Sequence, residues 1–223
     1  METSKKTTNK KKVLSEDAII TMYMNDVLSN NREPKNVFSF CKDQGIIEPD
    51  FYKLFNSIES LKKNIWVKFL ENALVTIKKD EAFEDYSDKN KLLTLYFTLF
   101  EIFTLNRSYV LFSLTEDKNG LKSLATLKDF RKNFKLFIIS IIENDKQVGN
   151  EKIKKLTKPV FSEGAWIQFL FLLKFWMDDT SKEFEKTDIL IEKSVNTVVD
   201  LLNTKPLESL LDLGKFLWKE KMN

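Results

Sequence analysis

The 223 residues carry 43% hydrophobic and 31% charged side chains but only five glycines and four prolines, which fits a globular chain with a sizeable core and argues against a turn-rich all-β fold. With no histidine and a single cysteine, Cys41, Ser-His-Asp and Cys-His catalysis, an internal disulfide and a thiolate metal cluster are all excluded, so no enzyme, metal or cofactor is expected. The net charge of +3 is a property of the first twelve residues, where five lysines face Glu2 alone, leaving the remainder at about −1; this stretch reads as a solubilising tail or as a basic arm for an anionic partner.

The lysine-rich start leads into no uninterrupted apolar stretch, and no run reaches the roughly 18 to 20 apolar residues of a membrane span. A cytoplasmic chain without a transmembrane segment is expected. After the tail, residues 15–29 read as a helix with Ser15 as N-cap and Ile19, Ile20, Tyr23, Val27 and Leu28 at helical spacing. A short helix over 35–44 follows, and Gly45 stands where a C-cap would. Asn56 is the expected N-cap of the next long helix, with Glu59 three residues on, and Leu61, Ile65, Trp66, Phe69, Leu70 and Ala73 mark its buried face.

Residues 79–89 are charged and poor in aliphatics and read as a loop. One helix is predicted over 92–114. Its polar residues Thr94, Thr98, Glu101, Thr104 and Ser108 fall on a narrow stripe, which is either a thin solvent face or a cavity wall. Helices over 121–143, 162–179, 187–202 and 206–221 follow, with a short one at 151–157 stopped by Pro159. Ala165–Met177 is apolar almost all round, interrupted by Gln168 and Lys174. Asp178 and Asp179 read as a solvated helix end, and Cys41 as a core residue.

The stretch from Gly45 to Leu61 carries the one motif. Gly45, Ile46, Phe51, Tyr52, Phe55, Ser57, Glu59 and Leu61 fall without a gap on a pattern of glycine, aliphatic, then Phe-Tyr-x-x-Phe, Ser, Glu and Leu. In this the chain, over about residues 15–69, resembles the TetR family of helix-turn-helix transcriptional regulators. The resemblance implies an all-α, TetR-like fold: a helix-turn-helix domain over 13–60 and a larger helical ligand-binding and dimerisation domain over 61–223. Gly45, Phe51, Tyr52 and Phe55 form its framework. The family's phosphate-contacting positions in the turn, before the final Phe and after the Ser hold Ile47, Leu54 and Ile58, none of which donates a side-chain hydrogen bond. Over Val13–Lys62, eight acids outnumber five bases, whereas a DNA-reading domain presents a basic face.

Three site expectations follow from the resemblance. Operator binding is weakened or lost, the alternative being a ligand-responsive regulator that reads DNA through an atypical recognition helix. A hydrophobic, lipid-like ligand, if bound, would sit among Thr94, Phe97, Thr98, Glu101, Phe134 and Phe169, with Arg107 or Lys174 as partners for a buried Glu101; a protein partner is the other possibility. A homodimer would bury Trp166, Phe169 and Leu173 across a two-fold axis, or these residues are buried within one subunit.

Overall fold

A computed structural model of the chain describes residues 14–115, 125–143 and 151–202, excepting the side chains of 142–143, 151–157 and 200–202. The lysine-rich tail, the turns expected at 116–120 and 145–150 and the helix expected over 206–221 lie outside the described residues. The elements are α1 Glu16–Asn30, α2 Val37–Gln44, α3 Glu48–Tyr52, α4 Ile58–Ile77, a 3₁₀ turn Glu81–Asp85, α5 Asp88–Leu105, α6 Arg107–Thr115, α7 Lys128–Glu143, α8 Glu151–Asp178, a second 3₁₀ turn Lys182–Phe184 and α9 Glu185–Leu202. The described residues contain no strand, and the fold is all-α.

The chain divides into two compact units, Met1–Ile65 with Ser108–Thr126, and Trp66–Arg107 with Leu127–Asn223. In the first, local chemistry sets the helix ends. Ser15 accepts the Ala18 N–H at 3.2 Å, and Asn36 accepts the Ser39 N–H at 2.8 Å, each satisfying an otherwise orphaned donor. Gly45 closes α2 in the left-handed region at φ +66°, with Ile46 N–H reaching the Cys41 carbonyl at 2.9 Å and Gly45 N–H the Lys42 carbonyl at 3.3 Å, the paired bonds of a Schellman ending. The cap of α4 is Ser57, not Asn56: Ser57 Oγ accepts the Ser60 N–H at 3.0 Å, and Ser60 Oγ accepts the Ser57 N–H at 3.1 Å. Serine takes the place expected for Glu59 because its short side chain closes the reciprocal box one residue later.

In the second unit, α5, α7, α8 and α9 pack on one another. Phe169 is fully buried with its ring 5.0 Å from Phe130, 5.3 Å from Phe134 and 5.3 Å from Trp166; Trp66 and Phe103 extend the cluster at 5.6 Å from each other. These are ordinary aromatic packing distances. Between α5, α8 and α9 runs a polar seam. The buried Tyr96 hydroxyl is within hydrogen-bond distance of the Ala165 carbonyl (3.0 Å) and Gln168 Oε1 (3.3 Å), and Gln168 Nε2 donates to Ser194 Oγ at 3.0 Å. Burial pushes the Tyr96 phenol far up, so it stays neutral and remains a donor.

Two sequence expectations are corrected. The single helix over 92–114 breaks at Asn106, which leaves the helical region at φ −119°, ψ 23° and donates its side-chain amide to the Ile102 carbonyl at 2.8 Å. Competition of this kind between a short polar side chain and the backbone ends helices. Pro159, in turn, does not stop a helix but lies inside α8. A proline forgoes one backbone hydrogen bond, and the buried run that follows it, from Ser162 to Trp176, holds the helix through tertiary packing.

The 79–89 segment is not featureless. Asp80 caps the first 3₁₀ turn through the Ala82 N–H at 3.0 Å and accepts the Tyr86 hydroxyl at 2.8 Å, while Phe83 is buried beneath Lys91.

Candidate functional sites

The helix-turn-helix framework is held from within. Phe51 is fully buried, its ring 6.0 Å from Phe40 and 5.9 Å from Phe55, and Phe40 lies 5.9 Å from Tyr23. Gly45 supplies the left-handed turn between α2 and α3. Tyr52 differs from the other framework residues: its ring touches Phe51 edge-on at 5.7 Å, but the residue is 51% exposed.

The positions that the resemblance assigns to DNA contact differ in exposure. Ile47, N-cap of α3 without a side-chain bond, is 58% exposed, and Leu54 and Ile58 are half-buried. Glu48 and Asp50 occupy the first turn of α3, with Lys53 donating to Asp50 at 2.6 Å. The arrangement offers apolar side chains and carboxylates where a polyanion needs donors.

The six residues considered for a ligand pocket divide into two groups. Phe134 and Phe169 are fully buried in the ring cluster. Glu101 and Phe97 are exposed and Thr94 and Thr98 half-buried on the other side of α5. From Thr94 to Thr104 the stripe is a solvent face, because Leu92, Leu95, Tyr96, Leu99, Phe100 and Phe103 form the inward face of α5 at helical spacing; its last member, Ser108, lies on α6 in the other unit. Of its polar members, Thr94 bonds the Asn90 carbonyl at 2.8 Å and Thr104 accepts the Trp176 indole N–H at 3.1 Å. A cavity of about 460 Å³ occurs elsewhere, in the first unit, bordered by Leu28, Asn31, Ser108, Phe112 and Thr115.

Trp166, Phe169 and Leu173 are buried within the chain. The exposed apolar residues of the same helix are Val160, Ile167 (65%), Phe171 (56%) and Phe175, with Ile189 on α9. On α8, Ile167, Phe171 and Phe175 recur every four residues, with Val160 two turns before Ile167, along one outer stripe.

The proposed partners of Glu101 are engaged otherwise. Lys174 is exposed and pairs with Asp178 at 2.7 Å. Arg107 turns to the end of α8, donating to the carbonyls of Trp176 (3.0 Å) and Met177 (3.1 Å), its guanidinium 4.4 Å from the rings of both Trp176 and Phe184. A cation there satisfies orphaned carbonyls and the helix dipole together.

Asp179 is buried, not solvated. It accepts from Thr187 Oγ at 2.6 Å, Thr187 N at 3.0 Å, Ser181 Oγ at 2.7 Å and Ser181 N at 2.8 Å. Burial alone would raise its pKa; the bonds from Thr187 and Ser181 outweigh that and hold the carboxyl down at about 2. The linker it braces contains Glu183 and Phe184, both at positive φ. Neither this clamp nor the Arg107 cap is legible in the sequence, since each joins residues about 70 or 8 positions apart with no motif between them.

A family model described as the tetracyclin repressor-like C-terminal domain matches residues 91–217. No curated protein matches the chain. No helix among the described residues is long and apolar enough to cross a membrane. With this domain downstream of a helix-turn-helix resemblance and an all-helical fold, the chain belongs to the tetracyclin repressor-like (TetR) family, whose members are regulators.

Proposed function

We propose that this TetR-family chain is a homodimer whose regulatory output passes through protein contacts, with operator binding by its helix-turn-helix weakened or lost. The observation that carries the reading is the occupancy of the three phosphate-contacting positions by Ile47, Leu54 and Ile58, with Glu48 and Asp50 beside them, on an otherwise intact framework. Phosphate contacts dominate affinity for a duplex and fix register on it, and apolar side chains supply neither. The dimer rests on the outer face of α8, where Ile167 and Phe171 stand exposed along one stripe; last-helix dimers are what the family resemblance implies.

A hydrophobic-ligand role is the weaker branch, because Phe134 and Phe169 meet neighbouring rings at 5 to 6 Å and a ligand would have to displace them. A second reading keeps the chain as a ligand-responsive, DNA-binding regulator. The intact framework, with Phe51 and Phe55 buried and Gly45 in its left-handed turn, favours it, and the lysines of residues 1–12 would add non-specific affinity.

The test separates the two. A selection over random duplexes, run near physiological salt with the full chain and with residues 1–12 removed, returns no preferred site on the leading reading. Weak salt-dependent binding is then lost with the tail. A palindromic site bound tightly by the tail-deleted chain overturns the leading reading. Sedimentation that finds a monomer at tens of micromolar, in order of magnitude, overturns the dimer.

A further inference from the structure

Two breaks in the helical chain meet at the end of α8. One is the α5–α6 junction, where Asn106 leaves the helical region and Arg107 follows. The other is the α8–α9 linker, whose Glu183 and Phe184 stand at φ 53° and 62°. Successive non-glycine residues in the left-handed region, one of them aromatic, are costly, and such a conformation persists only where its surroundings hold it.

The holding groups lie on both sides. Within the linker, Asp179 accepts from Ser181 and Thr187, Phe184 N–H donates to the Ser181 carbonyl at 3.2 Å, and Lys186 N–H donates to Ser181 Oγ at 3.2 Å. From outside it comes Arg107. Its guanidinium lies 4.4 Å from the Trp176 ring and 4.4 Å from the Phe184 ring, and it donates to the carbonyls of Trp176, Met177 and, at 3.5 Å, Asp179. Trp176 is fully buried with its indole N–H on Thr104 Oγ1, so that wall is fixed. Phe184 is the wall that the linker's conformation supplies. Ring faces together with carbonyls suit a planar guanidinium better than a compact ammonium, and the chain fills this cage with its own side chain.

We propose that Arg107 is a latch: an internal guanidinium ligand whose cage is complete only while the α8–α9 linker holds its left-handed form. Seating the cation then stores strain in the linker, and unseating it lets the linker relax. The pull of the cation on Phe184 and the strain at Glu183 and Phe184 oppose each other, so the corner has a closed and an open arrangement. With Arg107 removed, the vacated cage binds a free guanidinium compound.

The experiment follows amide hydrogen exchange at Phe184, Lys186 and Thr187 in the full chain. Arg107→Ala speeds exchange at these amides by about tenfold or more and leaves the centre of α7 unchanged. Ethylguanidinium, at a concentration on the order of tens of millimolar, returns the protection, and ethylammonium at the same ionic strength does not. The wild type responds to neither, because its tethered guanidinium has the higher effective concentration. Arg107→Lys, which keeps the charge and loses the plane, falls between wild type and Arg107→Ala. Glu183→Gly added to Arg107→Ala returns part of the protection, since glycine meets no penalty in the left-handed region.

Unchanged exchange at the linker amides in Arg107→Ala overturns the proposal. So does recovery with ethylammonium equal to that with ethylguanidinium, recovery with neither, or a Glu183→Gly substitution without effect. If Arg107→Ala loses its helical signal, Phe184→Leu takes its place: it removes one wall of the cage and leaves the carbonyl contacts. Exchange at Lys186 and Thr187 that is as slow in Phe184→Leu as in the wild type overturns the latch, and faster exchange supports it.

Discussion

The inner and outer faces of α8 carry almost the same kinds of side chain and have opposite fates. Inside lie Trp166, Phe169, Leu172, Leu173 and Trp176, together with the polar Gln168; outside lie Ile167, Phe171 and Phe175. A hydropathy rule would have placed Gln168 in water and Phe171 in the core. Gln168 is buried because Tyr96 and Ser194 satisfy its amide, so its burial carries little unpaired-dipole cost. Phe171 stays out because five inward positions already fill the space against α5, α7 and α9. A helix that is apolar all round has to be covered all round. On this chain the inner half is covered by its own helices, and the outer half is what the proposed dimer would cover.

Substitutions at either face test this difference. The largest effect is expected inside: Phe169→Ala removes the ring that touches Phe130, Phe134 and Trp166 and should cost about 3 to 5 kcal/mol in urea unfolding, as large-to-small core changes do. A cost below about 1 kcal/mol would mean that the ring cluster is loosely packed and could yield to a ligand. Outside, Ile167→Asp with Phe171→Asp should leave the helical signal of the chain intact but shift sedimentation to monomer, at about 2 kcal/mol or more per lost anchor. A dimer that survives both substitutions excludes this stripe as the interface.

The Asp179 clamp at the end of α8 responds to pH. Its carboxyl is held at about 2 in the folded chain against an ordinary 3.8. A depressed folded pKa stabilises above the ordinary value and loses that stabilisation as the pH falls. Wild-type stability should therefore drop by about 2 kcal/mol between roughly pH 5 and 2 on account of this group. Asp179→Asn should lose a similar amount at neutral pH and show a flatter profile in that window. Identical acid profiles for the two would show that the Thr187 and Ser181 bonds do not persist in solution.

The smallest effect is expected on α5. Glu101→Leu should alter stability by no more than about 0.5 kcal/mol, as surface changes away from special features do, and should leave hydrophobic-dye binding unchanged. A change in dye binding would return the Thr94, Thr98 and Glu101 stripe to consideration as a pocket wall.

What the sequence determined by itself was local. Ser15 as a cap, Gly45 as a left-handed ending and the Phe51 and Phe55 framework need only a few neighbouring residues, and those residues are present in the order the physics requires. The tertiary structure decided the rest. It turned Arg107 to the end of α8, kept α8 helical through Pro159, buried Asp179 against Thr187, and chose which side of α8 faces inward. Each of these depends on a partner 8 to 70 residues away or on the free volume left by other helices. Periodicity along one segment reports how much apolar surface must be covered, but not what covers it.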